Sequence, residues 1–431
     1  MREMKDSGVE WIGAIPTSWE LNKIGALYDE RSTKVSDTEY PPLSVTKQGI
    51  VPQLETAAKT DNGDNRKLIK KNDFVINSRS DRRGSCGISE YEGSCSLINT
   101  VLRPRKNMCN AYYGYVFRSE LFADEFYRWG NGIVDDLWST KWSNMKRIYI
   151  PSPSIDEQQR IASYLDDKCS KIDAIIEKQQ AVIEKLKAYK LSVITEAVTK
   201  GLNSDVGMKN CKSMWYSEIP QNWNCLKLSQ IVDYSHPYAF GDGDHGIIKT
   251  DDYKEEGIPY IRVQNVGWCS ELQLDNVVYI SEEDNEKIYN STLRPGDILF
   301  VKTGGTIGKT GMIPQSLLIS NTTSHVGKIT VSKNFYNKYI LYAISSDIGY
   351  KQFWAIASQK TTRPELGLEE VKKVRIAIPD SYEEQKRIVD YLDEKCNAVE
   401  KVIEKKQAVV KKMQKYKKSL IYEVVTGKKE V

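Results

Sequence analysis

Long hydrophobic runs are missing from this chain of 431 residues. No apolar stretch approaches the ~18 residues that a membrane-spanning helix requires, so we expect no membrane insertion. The first residues carry charges without a following apolar segment, which argues against a secretory signal. We therefore expect a cytoplasmic protein. With 40% hydrophobic residues, the chain has enough apolar material for packed cores.

Histidine and closely spaced cysteine are also scarce. The chain has three histidines, and no two of its eight cysteines show the Cys-x-x-Cys spacing of zinc ribbons or thiol oxidoreductases. Free thiols in a reducing compartment are the simplest interpretation. We find no nucleophile with a base partner, no dinucleotide fingerprint and no metal-ligand set. The sequence therefore predicts no catalytic residue, no metal and no cofactor in this chain itself.

The net charge of +4 is too small to indicate a nucleic-acid-binding protein. The charge is unevenly placed, however, because ten lysines stand against four glutamates between Cys396 and Val431. Such a basic end is usually a solvated helix face, and it is also compatible with an electrostatic contact to DNA.

An internal duplication organises the chain. Residues 155–199 and 382–426 align without a gap, and about half of the aligned positions are identical. A shorter repeat opens each half, with two tryptophans flanking a proline: Trp11, Pro16 and Trp19, then Trp215, Pro220 and Trp223. The segments between the opening and closing repeats are unlike each other. We therefore predict a first body (1–154), a long helix (155–205), a second body (206–381) and a second long helix (382–431).

The closing repeats predict long helices without interior proline or glycine. Ser154 with Glu157, and Ser381 with Glu384, have the spacing of a capping box. Apolar residues then recur at alternating steps of four and three, as in the seam of a coiled coil. The seam residues are Ile172, Ile176, Ile183, Leu186 and Val193 in the first helix, and Val399, Ile403, Val410, Met413 and Leu420 in the second.

Polar residues interrupt the two seams at equivalent places, namely Gln179 and Lys406, and Lys190 and Lys417. A helix of this length, roughly 60–65 Å at the usual rise, would expose its seam if it stood alone. The simplest partner is the other copy in the same chain, in an antiparallel coiled coil that would hold the two bodies at a fixed separation. Pairing between molecules remains the alternative.

The two bodies are predicted to mix helices and strands. In the first we expect strands at 73–76, 96–102 and 147–150, and a helix over 112–129. In the second we expect strands at 259–263, 276–280, 297–301 and 325–331, and helices at 337–343 and 348–357. The predicted fold class is α/β (mixed α+β), with two globular bodies joined by two long antiparallel coiled-coil helices in a pseudo-twofold internal repeat.

Three motifs resemble catalytic or ion-binding sequences without meeting their requirements. Residues Thr303–Thr310 resemble a P-loop, but threonine occupies the position of its first glycine and no helix-forming run follows. Residues Gly241–His245 lack the later ligands of a calcium loop, so we predict a flexible turn. The acidic residues around Glu384 lie at one helix start, where capping explains them better than nuclease chemistry does.

Polar and basic loops in both bodies suit DNA. Arginine pairs with guanine, and asparagine or glutamine pairs with adenine. Taken singly, each loop is better explained as a solvated surface with ion pairs, but the occurrence of such loops in both bodies of one duplicated architecture strengthens the case for DNA binding. The candidates are Lys47, Gln48, Asn77, Arg79, Arg82 and Arg83 in the first body, and Arg262, Gln264, Asn265, Lys302, Thr303, Thr306, Lys309, Lys360 and Arg363 in the second.

These features resemble the DNA-specificity subunits of type I restriction-modification systems. The family opener W-I-G-x-I-P-x-x-W matches Trp11–Trp19, and its helix start E-Q-x-x-I matches Glu157–Ile161 and Glu384–Ile388. Stretches of both bodies are also similar to the family: Leu43–Gly49, Asp73–Asp81, Ile258–Val266 and Arg294–Lys309. The resemblance covers nearly the whole chain and is weaker at the second opener.

The resemblance implies that each body is a target-recognition domain that reads one half of a split, asymmetric double-stranded DNA target, while the helices set the unread spacer. It also implies a non-catalytic subunit. Two modification subunits would dock on the helices and methylate adenine with S-adenosylmethionine. Restriction subunits would cleave unmodified DNA with ATP and magnesium. From the residues alone, a stand-alone DNA-binding regulator and a coiled-coil protein scaffold remain alternatives.

Overall fold

The computed structural model describes residues 2–53, 63–132, 138–359 and 364–431. The chain forms two compact units. Unit 1 comprises Met1–Ala181 and Lys406–Val431, and unit 2 comprises Val182–Lys405. Two long helices belong to both units, because each begins in one unit and ends in the other.

Unit 1 contains thirteen short strands among its described residues and five helices that start in it. The strands are β1 (Met4–Asp6), β2 (Ala14–Pro16), β3 (Glu20–Lys23), β4 (Tyr28–Glu30), β5 (Lys34–Val35), β6 (Leu43–Thr46), β7 (Gly49–Pro52), β8 (Arg66–Ile69), β9 (Phe74–Asn77), β10 (Cys86–Ile88), β11 (Gly93–Cys95), β12 (Asn99–Pro104) and β13 (Tyr149–Ser152). The helices are α1 (Ile24–Leu27), α2 (Asn110–Arg118), α3 (Glu120–Arg128), α4 (Trp142–Met145) and α5 (Ile155–Lys200).

Unit 2 contains twelve strands among its described residues and five further helices. The strands are β14 (Met208–Asn210), β15 (Glu218–Pro220), β16 (Trp223–Lys227), β17 (Phe240–Asp242), β18 (Ile258–Ile261), β19 (Trp268–Glu271), β20 (Val278–Ile280), β21 (Ile298–Val301), β22 (Thr310–Met312), β23 (Asn321–Thr322), β24 (Val326–Ile329) and β25 (Arg375–Pro379). The helices are α6 (Glu282–Lys287), α7 (Asn337–Ser345), α8 (Asp347–Ala357), α9 (Leu368–Val371) and α10 (Tyr382–Val425).

The central sheets of the two units have the same order of strands. Unit 1 contains the antiparallel sheet β10-β9-β12-β4, and unit 2 contains the sheet β22-β21-β24-β17 with β19 added in parallel at one edge. The inner strands β9 and β21 are apolar along nearly their whole length and fully buried, as expected for strands covered on both faces. The bodies therefore share a skeleton although their sequences look unrelated.

A pair of helices follows the sheet in each unit, and this corrects the single helix predicted over 112–129. Helix α2 ends before Ser119, whose backbone is extended and whose hydroxyl accepts a hydrogen bond from the backbone N–H of Phe122 at the start of α3. Ser346 caps α8 in the same way, accepting from the N–H of Gly349. A serine that caps a new helix favours a break, because its side chain satisfies a donor that the helix start leaves unpaired.

The repeated opener and the repeated helix start contact each other in both units. The indole N–H of Trp19 donates to Glu157 Oε2 at 3.0 Å, and that of Trp223 donates to Glu384 Oε1 at 2.9 Å. Both indoles are fully buried. A buried indole requires a hydrogen-bond acceptor, so the duplicated sequence preserves one tryptophan–glutamate anchor per unit.

The glutamine that follows each anchoring glutamate ties the long helix to the body. Gln158 Oε1 accepts from the N–H of Cys109 at 2.9 Å, and its amide donates to the carbonyl of Pro153 at 2.8 Å. Gln385 makes the equivalent pair of contacts, with the N–H of Tyr336 and the carbonyl of Pro379. Both glutamines are buried and paired through both ends of their amides.

Each unit also holds the end of the other long helix through a buried tyrosine. The Tyr112 hydroxyl donates to the carbonyl of Val425 at 2.9 Å in unit 1. The Tyr339 hydroxyl lies 3.4 Å from the carbonyl of Val198 in unit 2. The last turn of a helix leaves carbonyls without intrahelical partners, and the Tyr112 hydroxyl supplies one missing donor. The Tyr339 hydroxyl also contacts the carbonyl of Ala377, at the shorter distance of 2.9 Å. Each unit therefore contains the start of one long helix and the end of the other.

Helices α5 and α10 run antiparallel within each unit. In unit 1, Lys417 contacts Asp173 at 2.6 Å and Lys406 donates to Gln179 at 3.0 Å, while in unit 2 Lys190 pairs with Glu400. All four predicted polar seam residues thus have partners on the facing helix. Of the ten predicted apolar seam residues, four are buried and the others half-buried; the buried ones are Ile172, Ile183, Ile403 and Leu420.

Candidate DNA interface

The loop after β9 carries the first group of predicted DNA-binding residues. Arg79 is exposed, and its backbone N–H donates to the side-chain oxygen of Asn77 at 3.0 Å. Arg79 also forms an isolated bridge with Ser139, which comes just before α4. Asn77 itself is buried, so its amide shapes the loop instead of facing a ligand. Asn77 therefore supports the conformation of this loop, and its predicted contact with DNA stays a prediction.

A groove of about 600 Å³ lies beside Arg79 in unit 1. Its lining combines basic side chains with the exposed apolar residues Leu97 and Ile98. The basic residues are Arg79, Lys67, Lys141 and Lys146, against one acidic residue, Glu30. Such a surface provides charge for phosphates and apolar contacts for sugars and bases. The three lysines were missed in the sequence, since they lie on a separate strand and around a short helix far from the arginine loop.

The other candidates of unit 1 lie at the surface. Arg82 is exposed and lies 3.3 Å from Asp81, and Arg83 pairs with Asp124. Lys47 and Gln48 occupy the exposed turn of the hairpin between β6 and β7. Surface ion pairs contribute little to stability, so these arginines remain available to exchange a carboxylate for a phosphate.

The candidates around β18 have different surroundings from those predicted. The Asn265 side chain is 1% exposed, accepts from the N–H of Arg262 at 2.9 Å and donates to the carbonyl of Gln273 at 2.8 Å. The Arg262 guanidinium lies over the Tyr253 ring and donates to the carbonyl of Asn276. Both residues therefore have contacts that hold their own loop together, and their predicted contact with DNA stays a prediction. Gln264 alone of this group is exposed.

The glycine-rich turn joins β21 to β22 in an antiparallel hairpin. A strand follows the turn where a P-loop has a helix, so the structure agrees with our rejection of that motif. Thr303, Thr306 and Lys309 are half-buried in this turn. Lys302, by contrast, is buried and pairs with Asp242, so its predicted contact with DNA would require the lysine to leave this partner. Asp242 ends β17, so the flexible turn predicted over 241–245 is wrong at its first residues.

Lys360 and Arg363 lie outside the described residues. Among the residues that are described, no group of three or more His, Cys, Asp or Glu side chains is arranged to hold a metal ion. None of the described helices has the length and apolar character needed to cross a bilayer. The eight cysteines are free thiols, and burial raises the pKa of the Cys86 and Cys95 thiols to about 12.

Sequence comparison identifies one family along both halves. The model for the type I restriction modification DNA specificity domain matches residues 19–185 and 220–412. The type I restriction enzyme MjaVIII specificity subunit of Methanocaldococcus jannaschii is 24% identical over 430 residues, covering 96% of this chain and 93% of its own length. The EcoBI specificity subunit of Escherichia coli is 27% identical over 250 residues, covering 56% of this chain and 50% of its own.

Structure comparison agrees on the fold. A chain from a structural study of complex assembly and conformational transition in the type I R-M system superposes with a TM-score of 0.67 at 13% identity. The match covers 95% of this chain and 98% of that chain. The chain therefore belongs to the family of type I restriction-modification DNA specificity subunits, which give their complexes DNA sequence specificity without being catalytic themselves.

Proposed function

We propose that residues 1–154 and 206–381 act as two target-recognition domains, each reading one part of a split, asymmetric DNA target. The long helices set the unread spacer between the two parts. The chain directs adenine methylation and restriction that its partner subunits carry out, with two modification subunits docked on the helix pair. Its partners bring S-adenosylmethionine, ATP and magnesium to the complex.

One observation carries this proposal. The strands β9 and β21 are equivalent, and a loop follows each of them. The backbones of the two loops form equivalent hydrogen bonds within their own units, but the loops present different side chains. The first loop exposes Arg79 beside a basic groove, whereas the second presents Thr303 and the glycine-rich turn. Two similar scaffolds with different reading groups suit a target whose two parts differ in sequence.

The modest charge of the chain fits the same proposal. If partner subunits supply much of the contact to the phosphate backbone, this chain does not need a strongly basic surface. Several of its exposed arginines also lie near carboxylates, as Arg103 and Arg105 do with Asp29. Specific base contacts are then the principal contribution of this chain.

The test is a map of methylated bases across the genome of cells that make this chain with its modification subunit, with and without its gene. We expect a two-part adenine-methylated motif that disappears when the gene is removed. A motif that persists, with an active modification subunit, would contradict the proposal and favour a regulator or a scaffold. A palindromic motif would contradict the asymmetric target.

A further inference from the structure

We propose that His245 and His325 contact base edges in the second part of the DNA target, and that the buried Lys302–Asp242 pair is a positioning device for His245. The proposal rests on the proposed function of the chain. It adds reading groups to unit 2, where two of the predicted basic contacts, Lys302 and Arg262, have partners within the unit.

The relevant residues meet at one edge of the central sheet of unit 2. Strand β17 ends at Asp242, β21 ends just before Lys302, and β24 begins just after His325. Strand β24 is antiparallel to both β17 and β21. The end of those two strands therefore coincides with the beginning of β24, and residues distant in sequence are brought together.

His325 is an exposed ring with one nitrogen held. Its Nδ1 lies 2.9 Å from the hydroxyl of Thr303, and its backbone carbonyl accepts from the N–H of Lys302 at 3.0 Å. Within the described part of the chain, no hydrogen-bond partner is found for its Nε2. Thr303 thus fixes the plane of an imidazole that keeps one polar atom for a ligand.

His245 is held from the other side of the cluster. Its Nε2 lies 3.0 Å from Asp242 Oδ1, while 67% of its side chain remains exposed. Its backbone is in the left-handed region, with φ of 52°. A residue other than glycine is seldom held there unless its surroundings impose it, and such positions concentrate at binding sites.

The Lys302–Asp242 pair explains how His245 is held. Their side chains are only 8% and 7% exposed, and Lys302 also lies 3.6 Å from Glu365. Burying two charges costs desolvation free energy, and the attraction between the charges often fails to compensate for it. Such a pair is therefore weak evidence for added stability. Here one Asp242 oxygen contacts Lys302 and the other contacts His245. The lysine thereby orients the carboxylate that orients the imidazole.

This arrangement indicates the chemistry that the site recognises. The Asp242 oxygen 3.0 Å from His245 Nε2 favours the tautomer that carries its proton on Nε2, and in that tautomer Nδ1 is an acceptor. In the major groove, that acceptor matches the exocyclic amino group of adenine or cytosine. Because Asp242 neutralises Lys302, the cluster has little net positive charge to offer a phosphate. The site therefore suits contacts to bases, in contrast to the basic groove of unit 1.

The experiment compares methylated motifs in cells that make the whole complex with wild-type chain, His245→Ala, His325→Ala or His236→Ala. His236, the remaining histidine, is also partly exposed in unit 2 but lies near Asp233, outside the cluster, and serves as the matched control. We expect His245→Ala and His325→Ala each to weaken preference at one or two positions of the second half-site, by about tenfold. The first half-site and the His236→Ala motif should stay unchanged.

The positioning role has its own measurement. Asp242→Asn should weaken preference at the same base pair as His245→Ala, and the double variant should be no worse at that base pair than His245→Ala alone. A general loss of folding would instead lower methylation at every position. Unchanged second half-site preference in both histidine variants would overturn the inference while leaving the proposed function intact. A wild-type complex without any two-part motif would overturn both.

Discussion

Units 1 and 2 differ most where their equivalent inner strands end. In unit 1 the carbonyl of Ser78 accepts from the N–H of Thr140 at 2.9 Å, and in unit 2 the carbonyl of Lys302 accepts from the N–H of Leu366 at 2.8 Å. The backbones of the two loops are therefore bonded alike. Their side chains are not, because unit 1 exposes an arginine at this edge whereas unit 2 buries an ion pair beneath two histidines.

This difference separates the parts of the sequence that hold the frame from those that we propose contact DNA. The anchors of the frame are repeated in the two halves, as in the contacts of Tyr115 with Asp166 and of Tyr342 with Asp393. The residues at the sheet edges are not repeated. A frame that carries different side chains at one edge allows recognition to change without a change of fold.

The largest predicted effect tests whether the two frames are equivalent. Trp19→Ala and Trp223→Ala each remove a fully buried indole and its hydrogen bond to glutamate, so each should cost about 3–5 kcal/mol in the stability of its unit. Calorimetric unfolding of the chain measures both losses.

Trp268→Ala is the matched control, because this tryptophan of unit 2 is 53% exposed and its loss should cost far less. A large loss of stability in only one of the two anchor variants would show that the two frames are not equivalent.

The second prediction concerns the residue that follows each inner strand. Lys302→Met leaves Asp242 buried without its lysine, and should destabilise unit 2 by about 3 kcal/mol. Ser78→Ala at the equivalent place in unit 1 removes one hydroxyl bond to the carbonyl of Ile98 and should cost about 1 kcal/mol. Denaturant unfolding of the two variants compares them directly. Equal losses of stability in the two variants would show that the buried ion pair contributes no more than a single hydroxyl hydrogen bond.

The third prediction addresses recognition by unit 1. Arg79→Ala should weaken binding of the complex to its target by about 1–3 kcal/mol and relax preference at the first half-site alone. Titration of labelled DNA at fixed salt measures the affinity. Arg103→Ala is the control, since that arginine is also exposed but lies on β12 with Asp29 as its partner. Equal losses in the two variants would indicate a general electrostatic effect.

The smallest predicted effect is a dependence on pH that only unit 2 should show. Burial lowers the pKa of Lys328 from 10.5 to about 8, whereas Val101 occupies the equivalent place in unit 1. Below pH 8, Lys328 is charged in both the folded and the unfolded chain, and the free-energy cost of burying its charge is fully present. Between about pH 8 and 10.5 the unfolded chain binds more protons, so this group makes the free energy of unfolding rise with pH.

Lys328→Met removes the buried charge, so the variant should have a higher free energy of unfolding than wild type at neutral pH. This difference in stability should be smallest at high pH. After allowance for solvent screening, its advantage at pH 7 should shrink by about 1–2 kcal/mol by pH 10. Thermal unfolding across that range measures the change. Lys333→Met, which alters an exposed lysine nearby, should show no such trend.

Much of the frame was predictable because it is local or periodic. The serine caps predicted at residues 154 and 381 located the starts of α5 and α10, although the glutamates of the expected capping boxes bond to tryptophans instead. The heptads located the seam, since both signals depend on neighbours a few residues away. The apolar runs at β9, β21 and β24 also predicted strands at nearly their true positions. The short strands of the openers were missed, because three residues are too few to show a period.

The site was less predictable because its contacts join distant segments. Lys302 stands in a glycine-rich stretch that suggests exposure, and only folding brings Asp242, 60 residues earlier, beside it. Asn265 looked suited to a base, yet its side chain completes a turn in its own loop. His245 and His325 gave no signal, since a lone histidine has no pattern. Loops of one polar composition can face inward or outward, and sequence alone does not distinguish the two.

The bond from Tyr112 to Val425 joins residues 313 positions apart, and this has a consequence for synthesis. Residues 182–405 form one continuous segment of the chain, so unit 2 can fold during translation while residues 406–431 are still being synthesised. Unit 1 cannot complete its core until Leu420 and Val424 emerge, although most of its chain was made first. Unit 1 is thus translated first but completes its folding last. Until then, part of its apolar core stays exposed and accessible to chaperones.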